Sequence, residues 1–257
     1  MTPGPAFLWD VRGANGSMTL FGTHHVAAER DVPDRAWQAL DAAEIFVAEA
    51  EEPLKGETYD EREELREKLE LPAGQSLMKM LPGDDFIELR QRLGVSSAAL
   101  ARTRPWVALS MLVKSVVDFP SPSMATALSD RAEKRAIAME YLDTWMLQTV
   151  FLDMTVDAND LSGALHDRNL ACSVTAGADA YRSGFEAAFV TETSGGPAAS
   201  ADASAIATRE QVWTDKLVEL LSRGKRVFVA IGVANIVGPT GIAARLQQAG
   251  YTVTRVQ

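Results

Sequence analysis

The chain has 257 residues, enough for one large domain or two small ones with a full core, and 35 acidic against 25 basic side chains give a net charge of −10 at pH 7. That balance argues against a nucleic-acid partner, because phosphate recognition is built from clustered Lys and Arg. A single cysteine, Cys172, excludes an intrachain disulfide and a cysteine metal cluster, and no run reaches the ~18 apolar residues of a membrane helix.

Cys172 lies in Leu170-Ala171-Cys172-Ser173-Val174 and reads as a buried or half-buried small residue. Met1 to Ala6 lack the basic region and apolar run of a signal peptide. As written, the chain reads as soluble and cytoplasmic; it would be exported if a leader had been removed.

In chain order, Phe7 to Val11 and Ser17 to Phe21 flank Gly13-Ala14-Asn15-Gly16. Two β-prone runs around an Asn-Gly turn predict a hairpin. The hairpin delivers Gly22-Thr23-His24-His25 to a strand end. Adjacent histidines in extended backbone point to opposite faces, so one of them faces a site and the other is core or support. A helix over 34–42 and a strand over 45–48 follow, and Glu49 is either a site carboxylate or the first residue of a solvated edge with Glu51 and Glu52.

Residues 60 to 69 predict an exposed helix held partly by i,i+4 pairs such as Glu64 with Lys68. Asp84 caps a helix to Leu93 that turns Phe86, Ile87, Leu89 and Leu93 inward, with Gly94 at its end. Pro105 opens an apolar helix, Trp106 to Val117. A further helix to Arg135 leads into a strand over 136–141, and Asp143 or Thr144 caps the helical run 145–154. His166 has no partner motif and reads as a surface histidine. Residues 178–190 predict one amphipathic helix, 191–207 a mobile low-complexity loop, and Arg209 opens a helix that ends before Gly224.

The first layout then recurs. Arg226 to Ile231 is a β-rich run followed by Gly232-Val233-Ala234-Asn235, and aligning glycine with glycine puts Asn235 opposite His25. In both copies a proline, a helix-like segment and a strand come next, here Pro239, 241–249 and 251–256. Strands alternating with helices predict an α/β (α+β) fold with a mixed central sheet flanked by helices. The repeat predicts a site assembled from strand ends. His25, Glu49, Asp143 and Asn235 are its candidate members, with Arg209 as an anion-binding or surface residue. Imidazole and carboxylate converging from different strands suit a divalent metal with an open position for water. A set with one sure histidine favours harder ions such as Mn²⁺ or Mg²⁺, or no metal at all. No phosphate-binding Gly-rich loop, HExxH or Gly-x-Ser-x-Gly elbow is present.

Leu20-Phe21-Gly22-Thr23-His24-His25-Val26 resembles the Leu-Gly-Thr-x-His-Val motif of the TraB/GumN family, which is related to the Tiki metalloproteases. The likeness continues through Glu49, Leu71 to Leu77, Arg104-Pro105-Trp106, Leu142-Asp143-Thr144 and Gly232 to Val256, nearly the whole chain as one domain. The resemblance implies metal-dependent hydrolysis of peptide or amide bonds, with His25, Glu49 and Asp143 as metal ligands and Glu49, Asp143, Asn235 and Arg209 as catalytic residues. The implied cofactor is Mn²⁺, Co²⁺ or Zn²⁺ where a metal is present, the implied partner is a peptide or protein substrate or ligand, and oligomerisation of the chain stays open. The family pattern has histidine where this chain has Asn235, glutamate where it has Asp143, and usually Arg-Asn where it has Arg209-Glu210. Those three departures define the alternative, a catalytically degraded member that binds a ligand or protein. An iron or haem site on His25 is the remaining option.

Overall fold

The structure, a computed structural model, describes residues 6–51, 58–193 and 203–256. Among them, six strands form one mixed sheet: β1 (Leu8–Arg12), β2 (Ser17–Thr23), β3 (Ile45–Ala50), β4 (Ala138–Asp143), β5 (Arg226–Gly232) and β6 (Thr252–Arg255), in the order β4-β3-β5-β2-β1-β6. The predicted hairpin is present, with β1 antiparallel to β2 and Gly13 N–H donating to Gly16 C=O at 3.0 Å.

β2, β5, β3 and β4 run parallel, and the two repeat units interleave. β2, helix Asp34–Asp41 and β3 form a crossover that leaves room for β5 between its strands, while β5, helix Ile242–Gln248 and β6 form the second. β5 is buried along five consecutive residues, Val227 to Ile231, as a central strand covered on both faces requires. β6, at the sheet edge, alternates exposed and half-buried positions. The rings of Phe21, Phe228 and Phe46 cross the three central strands at centroid spacings of 6.3 and 6.1 Å.

A second apolar cluster lies within the helices alone, built on Leu77, Leu89, Leu100, Leu112, Leu161 and Leu165. The inserted segment between β3 and β4 and the helices after β4 make this lobe.

Several local expectations are corrected. In helix Asp85–Leu93, Phe86 and Leu89 are buried, but Ile87 is exposed and Leu93 only half-buried, because the inward stripe is narrower than the apolar count suggested. Asp84 starts that helix without a side-chain cap hydrogen bond, and Gly94 ends it at φ 65°. In helix Tyr59–Leu69 Arg66 pairs with Glu63 at 2.7 Å, a spacing one residue shorter than that of the Glu64–Lys68 pair expected. Residues 178–190 are two helices, Leu170–Ser183 and Glu186–Thr193, broken where Gly184 takes φ 72°. Cys172 is exposed, on the outer face of the first of them. The low-complexity stretch is helical at 191–193 and from Ala203 onward, and its remainder lies outside the described residues, as does Glu52.

Candidate functional site

Register fixes what meets at the carboxyl edge of the parallel strands. Thr23 pairs with Gly232, Ala48 with Ala230, and Ala50 with Asp143, so the ends of β2, β5, β3 and β4 form one line. In open α/β sheets this is the edge where ligands bind.

Glu49 is the penultimate residue of β3, half-buried and still in the strand, which removes the solvated-edge reading; Glu51 just beyond it is exposed. Its Oε2 accepts the Gly232 N–H at 3.0 Å, and its Oε1 accepts from Arg209 Nη2 at 3.3 Å and Gln148 Nε2 at 3.4 Å. Asp143 ends β4 and is 8% exposed. Thr144, not Asp143, caps the next helix, its Oγ1 accepting the Leu147 N–H at 3.2 Å. Asp143 is thereby free to take Arg209 Nε at 2.9 Å on its Oδ2.

Arg209 is the hub. It lies in the interior of helix Ala203–Ser222 rather than at its start, and its side chain is 13% exposed, so the surface reading is overturned. The guanidinium carbon lies 4.4 Å from the Phe151 ring centroid and 4.1 Å from that of Trp213. A planar, delocalised cation held between two aromatic faces and two carboxylates is a use to which Arg is suited and Lys is not. The indole N–H of Trp213 is buried without a partner among the described residues.

Asn235 sits in a single 3-10 turn, Val233–Asn235, and its Nδ2 donates to the carbonyl of Gly232 at 3.3 Å. It joins the cluster through Gly232, whose N–H holds Glu49. A Cβ on Gly232 would sit 3.2 Å from Asn235 Nδ2 and 3.4 Å from Glu49 Oε2, so glycine is what lets both groups approach.

His25 is exposed and, among the described residues, makes no hydrogen bond or ion pair. His24 points away from His25, but not because the two are extended: the strand ends at Thr23, and His25 and Val26 form a turn closed by Ala27 N–H to the His24 carbonyl at 3.0 Å. Its ring stacks on Tyr181 (5.4 Å, 25°) and meets Phe189 edge-on (5.9 Å, 85°), and Nδ1 accepts the Val26 N–H at 3.3 Å. Burial pushes its pKa down to about 4, with the charges of His25 and Arg182 adding to the effect. Tyr181 O–H donates to the carbonyl of Gly22 at 2.7 Å and its own pKa is raised, chiefly by burial. Tyr181 and Gln148 escaped the sequence reading because their partners are 159 and 99 residues away.

Gly22 has a steric reason to be glycine. A Cβ there would lie 2.9 Å from both Cβ and Cγ2 of Val233, where the end of β2 presses on the turn after β5. Gly22→Ala is expected to cost about 1–3 kcal/mol by overpacking, read as a lower urea midpoint at unchanged slope.

The Arg209-Glu210 departure has its own explanation. Glu210 is buried, burial raises its pKa, and Arg245 opposes that shift from 3.3 Å. His166 also has a partner: its Nε2 lies 2.8 Å from Asp85 Oδ1, and Ser162 donates to the other oxygen at 2.5 Å. His166 is a surface histidine, as expected, and its contact with the buried Asp85 ties helix Ala158–His166 to helix Asp85–Leu93.

Of the sequence candidates, then, Glu49, Asp143 and Arg209 are in direct contact, Asn235 is one residue removed, and His25 is apart. Two carboxylates face one guanidinium. A divalent metal at these carboxylates would compete with the Arg209 guanidinium, which already engages Asp143 Oδ2 and Glu49 Oε1, while the Gly232 N–H takes Glu49 Oε2. Among the described residues no three His, Cys, Asp or Glu side chains form a metal-holding group. The residues as arranged do not fit a metal. The Gln148 amide lies against Glu49 at the same strand edge, and its carbonyl can accept an N–H of a bound chain. No helix among the described residues is long and apolar enough to cross a membrane.

A family model described as the TraB/PrgY/gumN family matches residues 7–255. No curated protein and no solved structure matches the chain.

Proposed function

We propose that this chain, which belongs to the TraB/PrgY/gumN family, is a binding member of it: it captures a peptide-like ligand at the carboxyl edge of its parallel strands without metal-dependent turnover. The observation that carries this reading is the Arg209 bridge between Glu49 and Asp143. A metal could take these carboxylates only if Arg209 left two ion pairs and two aromatic faces at once. Asn235 adds to the case, since a neutral amide oxygen is a weaker ligand than imidazole and its NH₂ is turned to Gly232 C=O. The peptide class of ligand rests on the family resemblance.

The test is metal content and peptide hydrolysis after loading with Mn²⁺, Co²⁺ or Zn²⁺ and desalting. The unmodified chain is expected to retain little metal and to cleave nothing, and Asn235→His to change neither while Arg209 holds the two carboxylates. Turnover by the unmodified chain at about 1 s⁻¹ or faster would overturn the reading.

One observation favours the second reading, a metal-dependent hydrolase of peptide or amide bonds. His25 is exposed, with a ring that none of the described residues engages. Under that reading His25→Ala abolishes turnover and metal retention together; under the first it changes neither.

A further inference from the structure

Helix Trp145–Thr155 is inside out. Its buried side chains are Thr149 and Thr155, while Met146, Leu147, Val150 and Met154 are between 43% and 67% exposed. The threonine hydroxyls are satisfied within the helix, donating to the carbonyls of Met146 and Phe151 at 2.8 and 2.9 Å. Positions 146, 147, 150 and 154 share one helical face. A surface helix ordinarily turns that face to the core. Here the inward positions are committed elsewhere: Gln148 reaches Glu49 and Phe151 lies on Arg209, so the helix walls the candidate site and presents its apolar stripe outward.

The stripe's surroundings are acidic. The helix carries one ionic side chain, Asp153, which is paired with Arg104 at 2.5 Å. Arg104 also donates to the carbonyl of Glu67 at 2.9 Å, which ties the stripe to helix Tyr59–Leu69 packed beside it. That neighbour holds Asp60, Glu61, Glu63, Glu64 and Glu67 against Arg62, Arg66 and Lys68. At the start of the stripe lie Glu49 and Asp143 with Arg209. Two of the four exposed side chains are methionines, which repack against varied partners.

We infer that this face docks a protein segment that is apolar on one side and basic on its flanks. Charge selects that occupant. An anionic lipid surface would meet the acidic rims, and a second copy of the chain would bring matching rims and another net charge of −10. A basic amphipathic segment covers the methionines, leucine and valine and answers the carboxylates together. The stripe borders the proposed ligand site, but the inference does not depend on what that site does.

The experiment titrates the full chain into a fluorescein-labelled amphipathic peptide of Leu and Lys, and into its Leu and Glu counterpart, by anisotropy at low and at ~0.3 M salt. Saturable binding of the Leu/Lys peptide is expected, about tenfold or more tighter than the Leu/Glu peptide and weaker in salt. The triple variant Met146→Gln, Val150→Gln, Met154→Gln should lose about tenfold or more of that affinity with an unchanged circular dichroism spectrum. Should that variant fold poorly, Glu63→Lys with Glu67→Lys gives a second reading of the same surface and should narrow or reverse the preference. Equal affinity for the two peptides overturns the inference. So does a self-association in sedimentation that the triple variant abolishes, or partition of the unmodified chain onto phosphatidylcholine–phosphatidylglycerol vesicles.

Discussion

Arg209→Ala is expected to remove about 3–5 kcal/mol of unfolding free energy, the cost of leaving buried charges without their partner. The side chain is 13% exposed and its two carboxylate partners are 9% and 24% exposed, so water screens the cluster poorly. Truncation strands Asp143 and Glu49 at one strand edge with like charge, and also uncovers the faces of Phe151 and Trp213. Lys in its place restores charge but neither the fork nor the stacking, and should recover less than half of the loss. The decisive comparison is a variant that removes the whole ionic set, Arg209→Met with Glu49→Gln and Asp143→Asn. Buried ionic clusters replaced together by neutral groups of similar volume are often close to neutral, so the triple variant should be more stable than Arg209→Ala. Urea unfolding of the three proteins checks this. An Arg209→Ala loss below about 1 kcal/mol would mean that the cluster is open to water and that the carboxylates are available to other cations, a metal included.

That a single arginine decides the character of the site explains why the sequence conveyed the fold better than the chemistry. The Asn15-Gly16 turn, the β-rich run before each motif glycine and the alternation of strand with helix are local signals, and the six strands formed close to where they were expected. The repeat was legible because its spacing is internal to the chain. The insertion of β5 between β2 and β3 was not, since nothing in either unit states which strands become neighbours. Glu49 and Asp143 could be suspected from carboxylates at strand ends. Arg209 was visible as a residue but not as their partner, because the contact joins positions 160 and 66 residues apart. Burial was misjudged where local pattern and packing disagree: the inside-out helix after β4 looks like any apolar helix in sequence, and Ile87 and Cys172 looked like core. The two histidines are the opposite case. The separation expected of them is present, one packed among aromatic rings and the other exposed, but a turn over His25 and Val26 produces it rather than the extended backbone assumed from sequence.

The packed one makes the fold acid-sensitive in a definite window. His24 titrates near 4 in the folded chain against a usual value of 6.5, because its ring is enclosed by Tyr181 and Phe189 and flanked by His25 and Arg182. The unfolded chain therefore binds a proton that the folded chain refuses between those two values. Stability rises with pH wherever the unfolded state holds more protons. Its full contribution is present above pH 6.5 and is lost as pH falls toward 4, at about 1.4 kcal/mol per unit in mid-window and about 3 kcal/mol in total. Asp85, held low by Ser162 and His166, adds its own loss only further down, below the ordinary carboxylate value of 3.8, so the two effects separate on the pH axis. His24→Phe keeps an aromatic ring between Tyr181 and Phe189 and should flatten the curve between pH 6.5 and 4 while leaving the lower limb in place. Unfolding midpoints in urea from pH 7.5 to 3.5 check this alongside an NMR titration of the His24 ring. A slope in that interval unchanged by His24→Phe would mean that the ring is solvated in both states, and that the motif's first histidine has no part in holding Gly22 against Tyr181.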